Sequence, residues 1–260
     1  MIYIILFIIG AVIGSFLIAT IYRMEKGESN VKGRSKCDHC EHSLSMLDTL
    51  PIVSWVVLSG KCRYCKKQIS YKYTIFELFC GLMFVGVSWL GGFDTDNLTG
   101  IVELALWLVL LANLLALSVY DHRNKTIPDI FLITNAVFGV FIFALHGSES
   151  SLIYENWILG LVGAALLGLV FWGLHKYSKG RWLGEADMYL VTVFGLVLGP
   201  VIGLMSVFAA SYIALIYVLM IKLLKTKKFK LTDQIAFGPF LSLGFVVSYF
   251  YGQQIIDLIK

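Results

Sequence analysis

Two aspartates stand where long apolar runs end or begin: Asp121 in Ser118-Val119-Tyr120-Asp121-His122-Arg123, and Asp187 in Gly184-Glu185-Ala186-Asp187. A carboxylate at the rim of a membrane's hydrocarbon is costly, and by default it marks a functional site. Two carboxylates that share one proton are the minimum apparatus for splitting a peptide bond with water: the ionised one takes the water's proton and the protonated one polarises the carbonyl. A second group of reactive side chains is Cys37-Asp38-His39-Cys40 with Cys62-Arg63-Tyr64-Cys65. Each C-x2-C turn offers two thiolates, and four thiolates satisfy a tetrahedral zinc ion. His39 or His42 replacing one thiolate is a weaker variant. Disulfides suit a reducing cytosol poorly, and a redox relay suits these knuckles less well than a metal. Cys80, inside an apolar run, reads as ordinary packing.

A single aspartate at a helix end is more often a cap or a solvated terminus. Asp121 ends its run, where the helix dipole disfavours negative charge, so a cap does not account for it. Asp187 begins a run and could be an N-terminal cap. Asp129 after Pro128 looks like the cap of the next helix, and Glu185 lies beside Asp187 in the chain. Glu77 and Glu103 lie within apolar runs and need partners if buried, whereas Asp48, Asp233 and Asp257 look peripheral. The residues alone leave the choice of a carboxylate pair open.

The elements that must position these groups are apolar. The chain is 58% hydrophobic and only 15% charged, with a mean hydropathy of +0.80, beyond the range of soluble domains. Runs long enough to span a bilayer fall at about 1–22, 74–92, 101–120, 129–146, 153–175, 186–199, 201–223 and 237–256. The first is read as a retained span rather than a removed signal peptide. The run 186–199 is short for a span of roughly 20 residues, and Gly199-Pro200 suggests a tight helical hairpin with 201–223. The expected fold is therefore an all-α polytopic membrane protein of about eight transmembrane helices, with a small zinc-ribbon-like loop between the first two. Its divisions are a first helix at 1–22, a four-cysteine loop at 23–73 and a membrane domain at 74–260. No internal repeat is evident.

Of the 21 Lys and Arg, all but Lys260 fall in alternate inter-helix segments. The opposite segments carry Asp94, Asp96, Glu149 and Glu155. The positive-inside bias then places the basic loops, and with them Asp121 and Asp187, on the cytoplasmic side. This distribution is a topology signal rather than a nucleic-acid-binding face, despite the net charge of +4.

The motifs resemble those of the type IV prepilin peptidases, over nearly the whole chain. Gly14-Ser15-Phe16 with Tyr22-Arg23 resembles that family's first helix. Arg34 to Cys40, Pro51-Ile52-Val53-Ser54-Trp55 and Gly60 to Cys65, leading through Tyr71-Lys72-Tyr73 to Glu77, resemble its cytoplasmic loop. Asp121 with Ile127-Pro128-Asp129 matches the first catalytic-aspartate motif, and Phe237-Gly238-Pro239-Phe240-Leu241 the final-helix signature. The second aspartate of the family stands in Gly-x-Gly-Asp, often followed by a hydrophobic residue and Lys. Here Ala186 replaces the second glycine and Tyr189 the lysine. Alanine is a small change at ordinary dihedrals and a costly one at positive φ.

The resemblance implies an aspartic endopeptidase of the bacterial inner membrane, with Asp121 and Asp187 catalytic and Cys37, Cys40, Cys62 and Cys65 holding structural zinc. It implies prepilin or pseudopilin substrates of pilus, type II secretion or competence systems, cut after a short basic leader. It also implies N-methylation of the new N-terminus with S-adenosylmethionine, for which the sequence offers no glycine-rich fingerprint. Two other classes compete. An ion-coupled transporter could use Asp121, Asp187, Glu77 and Glu103, although such sites usually lie near mid-membrane. A membrane thiol–disulfide enzyme could use the C-x2-C pairs, but on the oxidising side.

Overall fold

The computed structural model describes residues 1–27, 35–146, 157–224 and 235–259. Lys32, Arg34, Glu149, Glu155, Lys225, Lys227, Lys228, Lys230, Asp233 and Lys260, and the start of the run at 153, lie outside the described residues. The described chain is nearly all helical: α1 Ile2–Glu25, α2 Val53–Val57, α3 Tyr71–Leu90, α4 Leu98–Asn124, α5 Asp129–His146, α6 Trp157–Ser178, α7 Glu185–Leu223 and α8 Gly238–Ile259. Five of them (α1, α3, α4, α6 and α7) are long and apolar enough to cross a membrane, and Asp129–Leu145 is a shorter apolar helix. Their outward faces are apolar too. Ile4, Ile8 and Phe16 of α1, and Ile158, Leu169 and Val170 of α6, are exposed. A helix that is apolar all round belongs in lipid, so this is a multi-pass membrane protein.

The chain forms two compact units, Met1–Phe93 and Asp94–Lys260. In the first, α1 and α3 pack through small residues. A Cβ on Gly10 would lie 2.8 Å from the Cys80 carbonyl oxygen, and one on Gly14 would lie 2.9 Å from Cys80 Cβ. Lipid offers no hydrophobic drive for helix association, so close backbone approach and its dispersion contacts take over. Ser70 caps α3, accepting from Lys72 N–H.

In the second unit α7 is two arms. Gly199 has φ 74° and ψ 179°, a region open essentially to glycine. Pro200 then starts the second arm, where its missing N–H costs nothing. The chain folds back sharply: a Cβ on Gly203 would sit 3.2 Å from Gly195 Cα, whereas residues eight apart in a straight helix are about 12 Å apart. Gly163 of α6 presses into the same bend, against Gly195 and Pro200. The expected hairpin at Gly199-Pro200 is present. Around it, α6 packs on α7, α7 on α8, and α4 on both α5 and α8. Trp107, Phe194 and Phe245 fill the centre, with Phe194 and Phe245 rings 4.4 Å apart. Polar side chains fix the register. The Phe131 carbonyl accepts from Asn113 Nδ2 at 2.8 Å and from Asn135 Nδ2 at 2.9 Å, which ties α4 to α5.

Candidate active site and metal centre

One end of the second unit gathers the C-terminal turn of α4 and the N-terminal turns of α7 and α8. Asp121 occupies the last turn of α4 and is buried. The Gly238 N–H, at the first turn of α8, donates to Asp121 Oδ2 at 2.9 Å. The misfit of a carboxylate at its own helix's C-terminus is thus offset by the N-terminus of another helix, whose unpaired N–H groups and dipole favour negative charge. A Cβ on Gly238 would stand 2.7 Å from Asp121 Oδ2 and 3.1 Å from Leu117 Cδ2, so a larger residue there must push the carboxylate aside. One turn away Ser118 Oγ and Ser242 Oγ meet at 2.9 Å, and Ser242 also donates to the Gly238 carbonyl at 2.9 Å. These bonds stitch α4 to the start of α8 beside the carboxylate.

Asp187 is also buried, in the first turn of α7. Gly184 is the N-cap, and its N–H donates to Asp187 Oδ2 at 3.2 Å. Asp187 is therefore the third residue of the helix reaching back, not the cap itself. Ala186 is absent from the positive-φ residues and lies inside the helix, so alanine stands there without strain. The Gly184 peptide is held from its other side: His175 Nδ1 lies 2.9 Å from the Leu183 carbonyl oxygen. A carbonyl only accepts, so that nitrogen carries the proton. One peptide thus links His175 to Asp187, a role the sequence did not announce. The two carboxylates lie at the same end of the unit, near enough for a Coulomb contribution from Asp121 at Asp187 that is smaller than the effects of burial and of the Gly184 N–H.

The competing acids lie elsewhere. Asp129 is exposed at the start of α5. Glu185 is exposed and accepts from the Tyr189 hydroxyl at 3.4 Å. Glu77 belongs to the first unit, where it is buried and accepts the Ile52 N–H at 2.8 Å.

The four cysteines of the first unit meet at one point, with all four sulfurs within 4.8 Å of one another. Cys37 Sγ and Cys65 Sγ are 3.8 Å apart. A zinc tetrahedron with Zn–S of about 2.3 Å has an edge of about 3.8 Å, so the donor set fits the ion. Burial raises the Cys37 thiol, but the N–H groups of His39 and Cys40 and the neighbouring thiols outweigh it and lower it to about 7. Cys40, despite the His42 N–H, is raised to about 11 beside the Cys37 and Cys65 thiols. Cys37 is therefore the first of that pair to become the thiolate that zinc requires. Neither His39 nor His42 brings a ring nitrogen into this cluster, and the His42 ring lies against Tyr64 with centroids 3.7 Å apart.

The two C-x2-C turns share a backbone pattern as well as their cysteines. Cys37 N–H bonds the His42 carbonyl as Cys62 N–H bonds that of Lys67. Glu41 N–H bonds Cys37 as Lys66 N–H bonds Cys62, and Leu44 N–H bonds Ser35 as Ile69 N–H bonds Gly60. Glu41 and Lys66 both have positive φ, and the bridges Lys36–Ser43 and Lys61–Gln68 close both turns. The two knuckles are one backbone motif used twice. Little but the cysteines is shared between their sequences, so the side chains hide it.

Two family models match the chain: the bacterial peptidase A24 N-terminal domain over residues 8–90, and the type IV leader peptidase family over residues 108–219. A prepilin leader peptidase/N-methyltransferase of Pectobacterium carotovorum subsp. carotovorum is 30% identical, over 91% of this chain and 88% of its own length. The chain belongs to the type IV leader peptidase family. Proteins of the same name from Stutzerimonas stutzeri (29% identical; 85% of this chain and 73% of that protein) and Bacillus subtilis strain 168 (27% identical; 97% and 96%) are similar along most of its length. No solved structure gives a significant match. These matches make the chain a hydrolase of the leader peptidase class and give the transporter reading no support. The N-terminal model ends at the close of α3 and the peptidase model spans α4 to α7, so the two fall one in each compact unit.

Proposed function

We propose that this leader peptidase cuts prepilins or pseudopilins at the cytoplasmic membrane face, with Asp121 and Asp187 as its catalytic pair. The observation that carries this reading is two buried carboxylates, brought from distant parts of the chain to one end of one unit and each fastened by a backbone N–H. Neighbouring carboxylates resist ionising together, so the pair holds one proton and titrates as a unit. A water between them loses a proton to the ionised member and attacks the scissile carbonyl. The protonated member donates to the carbonyl oxygen, and its proton passes on to the leaving amine as the C–N bond breaks. The N–H groups of Gly238 and Gly184 orient the carboxylates and help to carry their charge. A basic leader suits the neighbourhood of two acids, and the apolar helix that follows suits the spans. Eight crossings, counting the two arms of α7 separately, are the topology that fits this arrangement.

The thiolates of Cys37, Cys40, Cys62 and Cys65 would hold one zinc ion, which supplies folding energy to a segment too small for a core of its own. Methyl transfer from S-adenosylmethionine to the new N-terminus would be a second reaction. It rests on the names of the relatives, and no residue here is assigned to it. The test is to incubate the purified protein in lipid nanodiscs with a synthetic prepilin and read the new N-terminus by mass spectrometry. Cleavage at one peptide bond between leader and apolar helix is expected. An intact prepilin with the well-folded, zinc-loaded protein would contradict the reading.

A further inference from the structure

Between the two zinc knuckles lies a segment that is too apolar for a solvated loop. From Ser43 to Gly60 the only charge is Asp48. Leu50, Val53, Val56 and Val57 are 44%, 56%, 62% and 72% exposed, four aliphatic side chains on one short stretch that no described residue of the first unit covers. A soluble surface rarely shows such a patch.

The depth of this stretch follows from contacts within the first unit. The Tyr22 and Tyr73 rings pair edge to face at 6.5 Å, where α1 ends and α3 begins. Arg23 and Lys72 are the adjoining charges, so this level is the aromatic belt of the interface. The first knuckle reaches the same level, through the Tyr73 hydroxyl to Asp38 at 3.4 Å. Ile52 lies deeper. Its N–H meets Glu77 Oε2 at 2.8 Å, and Glu77 stands one turn, about 6 Å, further into α3 than Tyr73. On α1, Glu77 is bonded to Ser15 and packs against Gly14, about 10 Å membrane-ward of Tyr22 at 1.5 Å per residue.

The backbone is arranged as a dry environment demands. Ile52 has φ 62° and ψ −51°, and Val53 N–H bonds the Pro51 carbonyl across it, a γ-turn that is strained for a β-branched residue. That turn points the Ile52 N–H away from every local carbonyl, and Glu77 takes it. Ser54, Val56, Leu58, Ser59 and Gly60 all donate to carbonyls of the same stretch, and Trp55 Nε1 reaches the Ile69 carbonyl at 3.2 Å. In hydrocarbon an unpaired backbone group has no water to bond, and irregular backbone survives there only when it is satisfied in this way. In water the Ile52 N–H would need no buried carboxylate.

We infer that Leu50–Val57 is a membrane-inserted segment, a lipid-contacting anchor that dips into the bilayer beside α1 and α3, with Glu77 closing its turn. Its partner is the acyl region of the bilayer. Lys61 and Arg63 of the second knuckle are the first basic residues after it, the usual flank of an interfacial anchor. Met46 and Leu47 form its shoulder, and Asp48 stays in the polar layer, paired with Arg63 Nε at 2.7 Å. Pinning the loop at this depth would hold the zinc knuckles against the membrane surface.

The experiment places a nitroxide at Val53, Val56 or Val57, one position at a time, through a ketone-bearing amino acid that leaves the zinc thiols alone. The full chain is reconstituted in nanodiscs, and zinc content reports that the unit is folded. Collision rates with molecular oxygen and with a water-soluble nickel chelate are read by electron paramagnetic resonance. Lys66 serves as the aqueous reference and the outward Phe79 of α3 as the lipid reference. The oxygen-to-nickel ratio at all three valines is expected to be at least several-fold above that at Lys66 and close to that at Phe79. A ratio equal to that at Lys66 would place the segment in water and overturn the proposal. Suppression of both collision rates together would show protein covering the segment, and would overturn it equally.

Discussion

Asp121 shows how a residue can look wrong locally and be right in three dimensions. At the C-terminal turn of α4 its charge opposes the local dipole, yet it rests on the N-terminus of α8 with the Gly238 N–H at 2.9 Å. Its type and place were legible in the sequence, but its partner was not, because Gly238 comes from the far end of the chain. Gly238→Ala is expected to lower cleavage at least tenfold, because a Cβ 2.7 Å from Asp121 Oδ2 must displace the carboxylate, while Pro239→Ala in the same turn should be milder. Peptide turnover by the purified variants checks this. Asp48 offers a pH test. Bonds from Ser45 and the ion pair with Arg63 lower it to about 2. A carboxylate depressed in the folded state contributes stability above its unfolded value near 4, and that contribution is lost only as the pH falls toward 2. Between pH 7 and 5 its contribution is therefore constant. Asp48→Asn should speed limited proteolysis of the loop at every pH in that range, with the same slope as the wild type. Unequal slopes would mean that Asp48 titrates higher.

At the scale of elements, apolar runs and punctuation residues read well and local geometry read less well. The eight runs coincide with α1, α3, α4, α5, α6, the two arms of α7, and α8. Gly199-Pro200 announced the hairpin because few other residue pairs can make that bend. The first arm, 185–198, is only about 21 Å long, shorter than a hydrocarbon core of about 30 Å, as the short run at 186–199 led one to expect. The two C-x2-C knuckles are plain in the sequence, but their shared backbone and the γ-turn at Ile52 are not. Each depends on backbone dihedrals that side-chain identity does not announce, and a β-branched residue is the last place to expect positive φ. The knuckles should carry about one zinc per chain. Replacing Cys37 and Cys62 together by Ser should abolish it and open residues 35–70 to protease, measured by metal analysis and mapping of the cleavage sites. Full zinc in that double variant would refute the ligand set.

For the whole molecule, topology and chemistry must agree. A peptidase that works at the cytoplasmic face needs Lys125, beside Asp121, and Lys179, before Asp187, on that face. Cysteines introduced at either position should react with an impermeant thiol reagent only after cells are opened, whereas one at Asp94 should react in intact cells, with the unsubstituted protein as the blank. Labelling of Lys125→Cys and Lys179→Cys from opposite sides would separate the carboxylates by a bilayer. The most direct test of the pair itself is a double-mutant cycle on prepilin cleavage with Asp121→Asn, Asp187→Asn and the two combined. Groups that act as one unit are grossly non-additive, and losing a general acid or base costs roughly a hundredfold to ten-thousandfold. Each single variant should therefore fall by about a thousandfold or more while remaining folded, and the double variant should fall no further. A single variant within tenfold of wild type, or a double variant whose loss is the product of the two, would contradict a shared-proton pair.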